Sequence, residues 1–332
     1  MQVFEDYSVI IEKLVSADFI LNMTISMTMK HVNTLTFYGY IMTLGGSLRD
    51  NLTSQQDLAK PYKKLQQMIF WTAGKAQRAT EVREKDGLQR DVLELVEELR
   101  TSLRELSGKF KNPNHFIVMT FGEIIESIGV LLLNLSSEQS WSMQKNSLLS
   151  EARAYIHLPT WFLHDTKKVD NDQPFEALME AVTIIGITAL EKDQDDIAEE
   201  ALKILPKMAI DILNKESGDG AMYIEPETME KACYVGILAL KNGKTSMVGL
   251  LKNSILDFEE KYRHKYFSNV PVGIDINTIH PSPQELKNNM INLEDTRRRN
   301  DLNGIGLEDS REKILQLVTA DDISGFIKAI WE

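Results

Sequence analysis

The 332-residue chain is predicted to be all-α, and three observations carry that prediction. The first is periodicity. In "LQRDVLELVEELRTSLREL", Leu88, Val92, Leu95, Val96, Leu99, Leu103 and Leu106 recur at spacings of three and four. This puts them on one helix face, with the charged residues opposite. The second is boundary chemistry. In "HPSPQELKNNM", Ser282 can cap a helix, Pro283 suits the first helical position, and Glu285 completes a capping box. "EPETMEKA" and "DQPFEALMEA" likewise place a proline before acidic residues that favour the positive end of a helix dipole. The third is the lack of paired strand signals. The clearest β-like stretch, "VPVGIDINTI" at residues 270–279, is isolated and broken by proline and glycine.

Three sections are expected: an N-terminal helical region at 1–111, three stacked helix-pair units at 112–266, and a C-terminal loop and helical extension at 267–332. The first opens with "MQVFEDYSVIIEKLV", an amphipathic helix pattern. Residues 19–48 follow, with Lys30 as their only formal charge. A buried helix pair accounts for such a stretch, and a membrane-facing or partner-facing segment is the alternative. The last section ends in "ADDISGFIKAIWE", which gathers Phe326, Ile327, Ile330 and Trp331 on one helical face. That is the pattern of a docked final helix, or of a helix that anchors a partner.

The middle section has internal likeness. "ESIGVLLL", "TIIGITAL" and "CYVGILAL" align on Gly129, Gly186 and Gly236, each preceded by Ile or Val and followed four residues on by Leu. A polar turn and a second apolar run come next, near residues 143–156, 195–213 and 246–264. An insertion around "IHLPTWFLHDTKKVDNDQ" lengthens the first interval. Glycine inside a helix costs about 1 kcal/mol relative to alanine, so its reuse at one place predicts close helix–helix approach. The pattern resembles the HEAT/armadillo-like class of helix-pair proteins. That resemblance implies an irregular α-solenoid; an all-α multi-helix bundle is the alternative.

Composition narrows the functional classes. The chain is 43% hydrophobic and 26% charged, with net charge −12, a balance that disfavours general nucleic-acid binding. Residues 1–111 carry 15 basic and 14 acidic side chains, and residues 112–332 carry 22 and 35. Excess acid therefore sits in the last two thirds. A single cysteine, Cys233, can form no internal disulfide, which fits a reducing compartment. The opening residues lack a signal-peptide pattern. A cytoplasmic protein is expected, or one peripheral to a membrane.

Candidate chemistry is sparse. "FLHDTKKVD" resembles the apolar-His-Asp-x-x-Lys stretch of HD-type metal phosphohydrolases, and the resemblance implies that His164 and Asp165 bind a metal that activates water. Those enzymes also use an upstream His and a downstream Asp. The upstream histidines here are His157, close by, and His115, far off, and Thr166 stands where the family usually has a small residue. The basic run Arg297, Arg298 and Arg299 could grip a carboxylate or phosphate, but Glu294, Asp295 and Asp301 surround it. No dinucleotide fingerprint, phosphate loop or nucleophile elbow is visible, so no cofactor is expected. The leading expectation is a non-catalytic protein-interaction scaffold with a protein partner. A membrane-associated regulatory domain and a metal-dependent phosphohydrolase are the alternatives.

Overall fold

The computed structural model describes residues 55–107, 115–165, 173–215, 227–267 and 319–331. Residues 19–48, residues 270–279, the Ser282 capping box and Arg297, Arg298 and Arg299 lie outside them. The described residues contain nine α-helices and no strand, as the periodicity predicts.

The first eight helices come as four pairs: α1 (Gln55–Arg78) with α2 (Val82–Ser107), α3 (His115–Ser136) with α4 (Lys145–Asp165), α5 (Gln173–Glu191) with α6 (Asp195–Lys215), and α7 (Glu227–Lys241) with α8 (Thr245–Phe267). Helix α9 (Ala320–Trp331) follows. A 3-10 turn, Gln139–Gln144, joins α3 to α4 around the buried Trp141. First helices pack on first helices in chain order: α1 on α3, α3 on α5, α5 on α7 and α7 on α9. Second helices do the same: α2 on α4, α4 on α6 and α6 on α8.

The sequence explains which helices lie deepest. Residues 181–190 in α5 and 232–239 in α7 are buried without a break, as a helix that is apolar all round requires. The polar exceptions in α5 satisfy themselves. Thr183 Oγ1 donates to the Met179 carbonyl at 2.9 Å, and Thr188 Oγ1 to the Ile184 carbonyl at 2.8 Å. The surface helix α2 instead buries Val92, Leu95, Val96, Leu99 and Leu103, five members of the predicted stripe.

The glycines mark the close approaches. A methyl added to Gly129 would meet Ile185 Cγ1 at 2.6 Å. On Gly186 it would lie 2.7 Å from Ala201 Cβ and 3.4 Å from both Val235 methyls. On Gly236 it would lie 2.6 Å from Leu251 Cδ2 and 2.8 Å from Phe326 Cε2. Each glycine thus receives a side chain from the next first helix in line. In α5 and α7 that side chain immediately precedes the next glycine.

The two later pairs share their turn as well. Gln194 N–H donates to the Ala189 carbonyl at 2.8 Å and Asp193 N–H to Leu190 at 3.3 Å. Fifty residues on, Lys244 N–H donates to Ala239 at 2.8 Å and Gly243 N–H to Leu240 at 2.9 Å. This is a Schellman cap, which needs a left-handed residue after the helix. Asp193 has φ 54° and Gly243 has φ 75°. Glycine takes that conformation freely, whereas aspartate there carries some strain.

One boundary departs from the expectation. The stretch "IHLPTWFLHD" is not an insertion: α4 runs on through Pro159 to Asp165. Proline removes one helix hydrogen bond, but Phe162 and Leu163 beyond it are buried. Phe162 meets Phe121 edge-on with centroids 5.6 Å apart, and Phe121 meets Tyr62 at 5.7 Å. This aromatic chain ties α4 to α3 and α1.

Two glycines outside the alignment allow a test. A methyl on Gly122 would sit 2.6 Å from the Ala177 carbonyl oxygen, whereas one on Gly249 meets nothing within 4 Å. Gly122→Ala and Gly186→Ala are each expected to destabilise by about 1–3 kcal/mol, because a backbone carbonyl or a helix-borne methyl cannot swing aside. Gly249→Ala is expected to stabilise by roughly 0.5–1 kcal/mol through helix propensity. Denaturant unfolding of the three variants checks the opposite signs.

Candidate functional site

The predicted site residues divide cleanly. Gly129, Gly186 and Gly236 sit at helix–helix contacts. His164 and Asp165 fall in the last turn of α4, and His164 is exposed. Among the described residues no three His, Cys, Asp or Glu side chains gather in a way that could hold a metal ion. His157 instead faces Glu200 on α6 at 3.3 Å. Cys233 is a buried free thiol in α7.

The structure brings together a groove that the sequence did not single out. It lies where the α5–α6 turn meets the α7–α8 turn, encloses about 590 Å³, and is lined by Leu190, Glu191, Asp193, Leu238, Lys241, Asn242 and Lys244. The two leucines are buried, while Glu191, Asp193, Lys241 and Asn242 are exposed. The common turn geometry aligns the two edges, because both helices end at the same cap. Lys244 Nζ reaches Asp195 Oδ2 at 2.5 Å, linking the two turns. That hydrogen bond, with the nearby Asp195 and Asp193 charges, raises the Lys244 pKa above the ordinary value. Asp195 Oδ1 is shielded from solvent and accepts no hydrogen bond from the described residues. The lining therefore offers ammonium donors, carboxylate acceptors and apolar side chains within one cleft.

At one side of this region Lys241 Nζ lies 3.2 Å from Asp322 Oδ2 of α9. Asp322 also closes a capping box. It accepts the Thr319 N–H at 2.7 Å and the Thr319 hydroxyl at 2.9 Å, while its own N–H donates to Thr319 Oγ1 at 3.2 Å. Partial burial pushes the Asp322 carboxyl up, but the bonds from Thr319 and Lys241 outweigh it and hold its pKa below the ordinary 3.8.

The second helices carry the charges. Arg100 Nε meets Glu151 Oε2 at 2.8 Å, with both side chains under one fifth exposed. Tyr155 O–H donates to the Val96 carbonyl at 2.8 Å, and its burial raises the phenol pKa well above its usual range. Arg153 reaches Asp196 at 3.4 Å. On α2, burial first and then neighbouring carboxylates raise the pKa values of Asp91 and Glu98. The Arg104 guanidinium lies 4.2 Å over the Trp161 ring.

One described helix, α3, has a stretch long and apolar enough to cross a membrane, Ile117–Ser136, but most of it is buried within the protein. Gln66 of α1 hydrogen-bonds Ser127 on this helix. Comparison with protein-family models, curated proteins and solved structures finds no match.

The Asp322 contacts give a pH prediction. A depressed carboxyl contributes stability above its unfolded pKa and loses it as pH falls through the folded value. Asp322→Ala should therefore weaken the protein by about 1 kcal/mol at neutral pH. The difference from the unaltered chain should shrink as pH falls below the ordinary 3.8 and through the lower folded value, where the carboxyl becomes protonated in both folded and unfolded states. Denaturant unfolding across pH reads both.

Proposed function

We propose that this protein is a non-catalytic protein-binding scaffold, an irregular α-solenoid of HEAT/armadillo-like helix pairs whose α5–α8 edge docks a protein partner. The observation that carries the reading is the common turn register, which lines up two helix ends and leaves a mixed apolar and charged groove between them. Stacked helix pairs make extended surfaces of this kind, rigid because each pair buries its neighbour. The analogy is one of architecture, so the reading rests on the groove itself. A cytoplasmic location, or one peripheral to a membrane, accompanies this proposal.

Two alternatives draw less support. The phosphohydrolase reading needs partners for His164 and Asp165, and the described residues supply no metal-holding group. The membrane-associated reading rests on residues 19–48. The mostly buried helix α3 adds little to it.

The test is co-purification of tagged full-length chain from its native host, with quantitation by mass spectrometry. Glu191→Lys with Asp193→Lys reverses the exposed acidic edge of the groove, and Arg83→Glu changes the exposed surface of α2 as a control. A polypeptide held in stoichiometric amount by the unaltered chain and the control, and reduced about tenfold by the double variant, is the expected result. A tenfold loss corresponds to about 1.4 kcal/mol. Recovery of the chain alone, or a partner indifferent to the double variant, would contradict the proposal.

A further inference from the structure

The groove between the two later turns holds an unmatched charge. Lys244 Nζ pairs with Asp195 and Lys241 Nζ with Asp322, so each lining lysine already faces a carboxylate. Glu191 and Asp193 are exposed on the same lining. Among the described residues neither of these two carboxylates has a hydrogen bond or an ion pair. Asp193 acts on Lys244 through its field alone. Lys192 stands between them in the chain but does not line the groove. Lys241 and Lys244 are thus set against Glu191, Asp193, Asp195 and Asp322, an excess of two negative charges.

The groove also has an apolar lining. Leu190 and Leu238 are only 3% and 5% exposed, yet both border the cleft of about 590 Å³. That volume lies in the range of ligand-holding clefts, about 300–1,000 Å³. The position of Asp193 adds to this. Its left-handed φ of 54° is matched by Gly243 in the sister turn. Glycine takes that conformation freely, so the aspartate sets a carboxylate at the groove edge at some cost in backbone strain.

We propose that the groove binds an arginine side chain of the protein partner, with Glu191 and Asp193 as counter-charges and Leu190 and Leu238 against its aliphatic stem. This rests on the protein-binding reading and gives its partner a chemistry, a basic segment. Long cationic side chains lay their methylenes on apolar surface and keep the charged head at a polar edge. Arginine suits two carboxylates better than lysine does, because its guanidinium is more weakly hydrated and offers a planar fork of donors. Residues 112–332 carry 35 acidic and 22 basic side chains, a balance that favours the approach of a cationic segment over an anionic one.

The probe is N-acetyl-arginine amide, titrated into full-length chain with isotope-labelled leucine methyl groups and followed by NMR. N-acetyl-citrulline amide, its neutral counterpart, and calcium chloride are the comparisons. Saturable shifts of the Leu190 and Leu238 methyls are expected with the arginine probe, at an affinity at least about fivefold above the citrulline probe. Glu191→Gln with Asp193→Asn is expected to remove that preference. Asp193→Gly, which keeps the left-handed turn without strain, is expected to weaken the arginine probe severalfold. Equal affinity for the two amides, shifts with calcium alone, or no shift at the two leucines would overturn the proposal. The titration needs no partner, so its failure is separable from recovery of the chain alone in co-purification. A stoichiometric partner lost on reversing both residues to lysine, but retained by Glu191→Gln with Asp193→Asn, would remove this inference and keep the scaffold reading.

Discussion

A side chain seated where a glycine lacks its Cβ holds α3 to α5, α5 to α7 and α7 to α9. Gly129, Gly186 and Gly236 each accept one, and such close packing gains dispersion contacts that a gap would forfeit. The geometry also fixes register. Where Ile185 or Val235 fills the preceding socket, the glycine beside it forms the next one. The spacing of the chain is thereby passed along the array. The second helices inherit the same order, since Gly186 and Gly236 also touch Ala201 and Leu251 on their own partners.

Electrostatics follows this packing and does not replace it. Lys63–Glu123, Arg153–Asp196 and His157–Glu200 span neighbouring pairs near the surface, where such contacts are worth about 0–1 kcal/mol each. Arg100–Glu151 is more enclosed and engages both guanidinium and carboxylate through two contacts, a geometry that favours a fixed orientation. These contacts set charged faces against one another once the buried helices have fixed the spacing. The groove between the later turns arises the same way, because two Schellman caps in common register bring Glu191 and Asp193 beside Lys241 and Lys244.

Much of this was legible in the sequence, though unevenly. The α2 stripe and the buried face of α9 follow from helical spacing alone, and the three aligned glycines announced tight contacts before any partner was known. Gly122 was missed because its contact is with a backbone carbonyl of α5, which no side-chain pattern encodes. The stretch around Pro159 was expected to be an insertion, yet the apolar residues Phe162 and Leu163 after it keep α4 in the core. Helix α1 carries no marker glycine. Its place beside α3 depends on buried side chains such as Leu65 and Ile69 and on the Tyr62–Phe121 edge contact, far apart in the chain and ordinary in composition. The groove was hidden for the same reason: its two walls come from separate turns, and each turn alone looks like a polar connection.

A double-mutant cycle between Gly129 and Ile185 tests the interlock most directly. Gly129→Ala would place a methyl against Ile185, while Ile185→Ala empties that space. The predicted result is that Gly129→Ala destabilises the unaltered chain but is neutral or stabilising when Ile185 is alanine, with a coupling of about 1 kcal/mol or more. Additive effects, with Gly129→Ala equally costly in both backgrounds, would contradict the account.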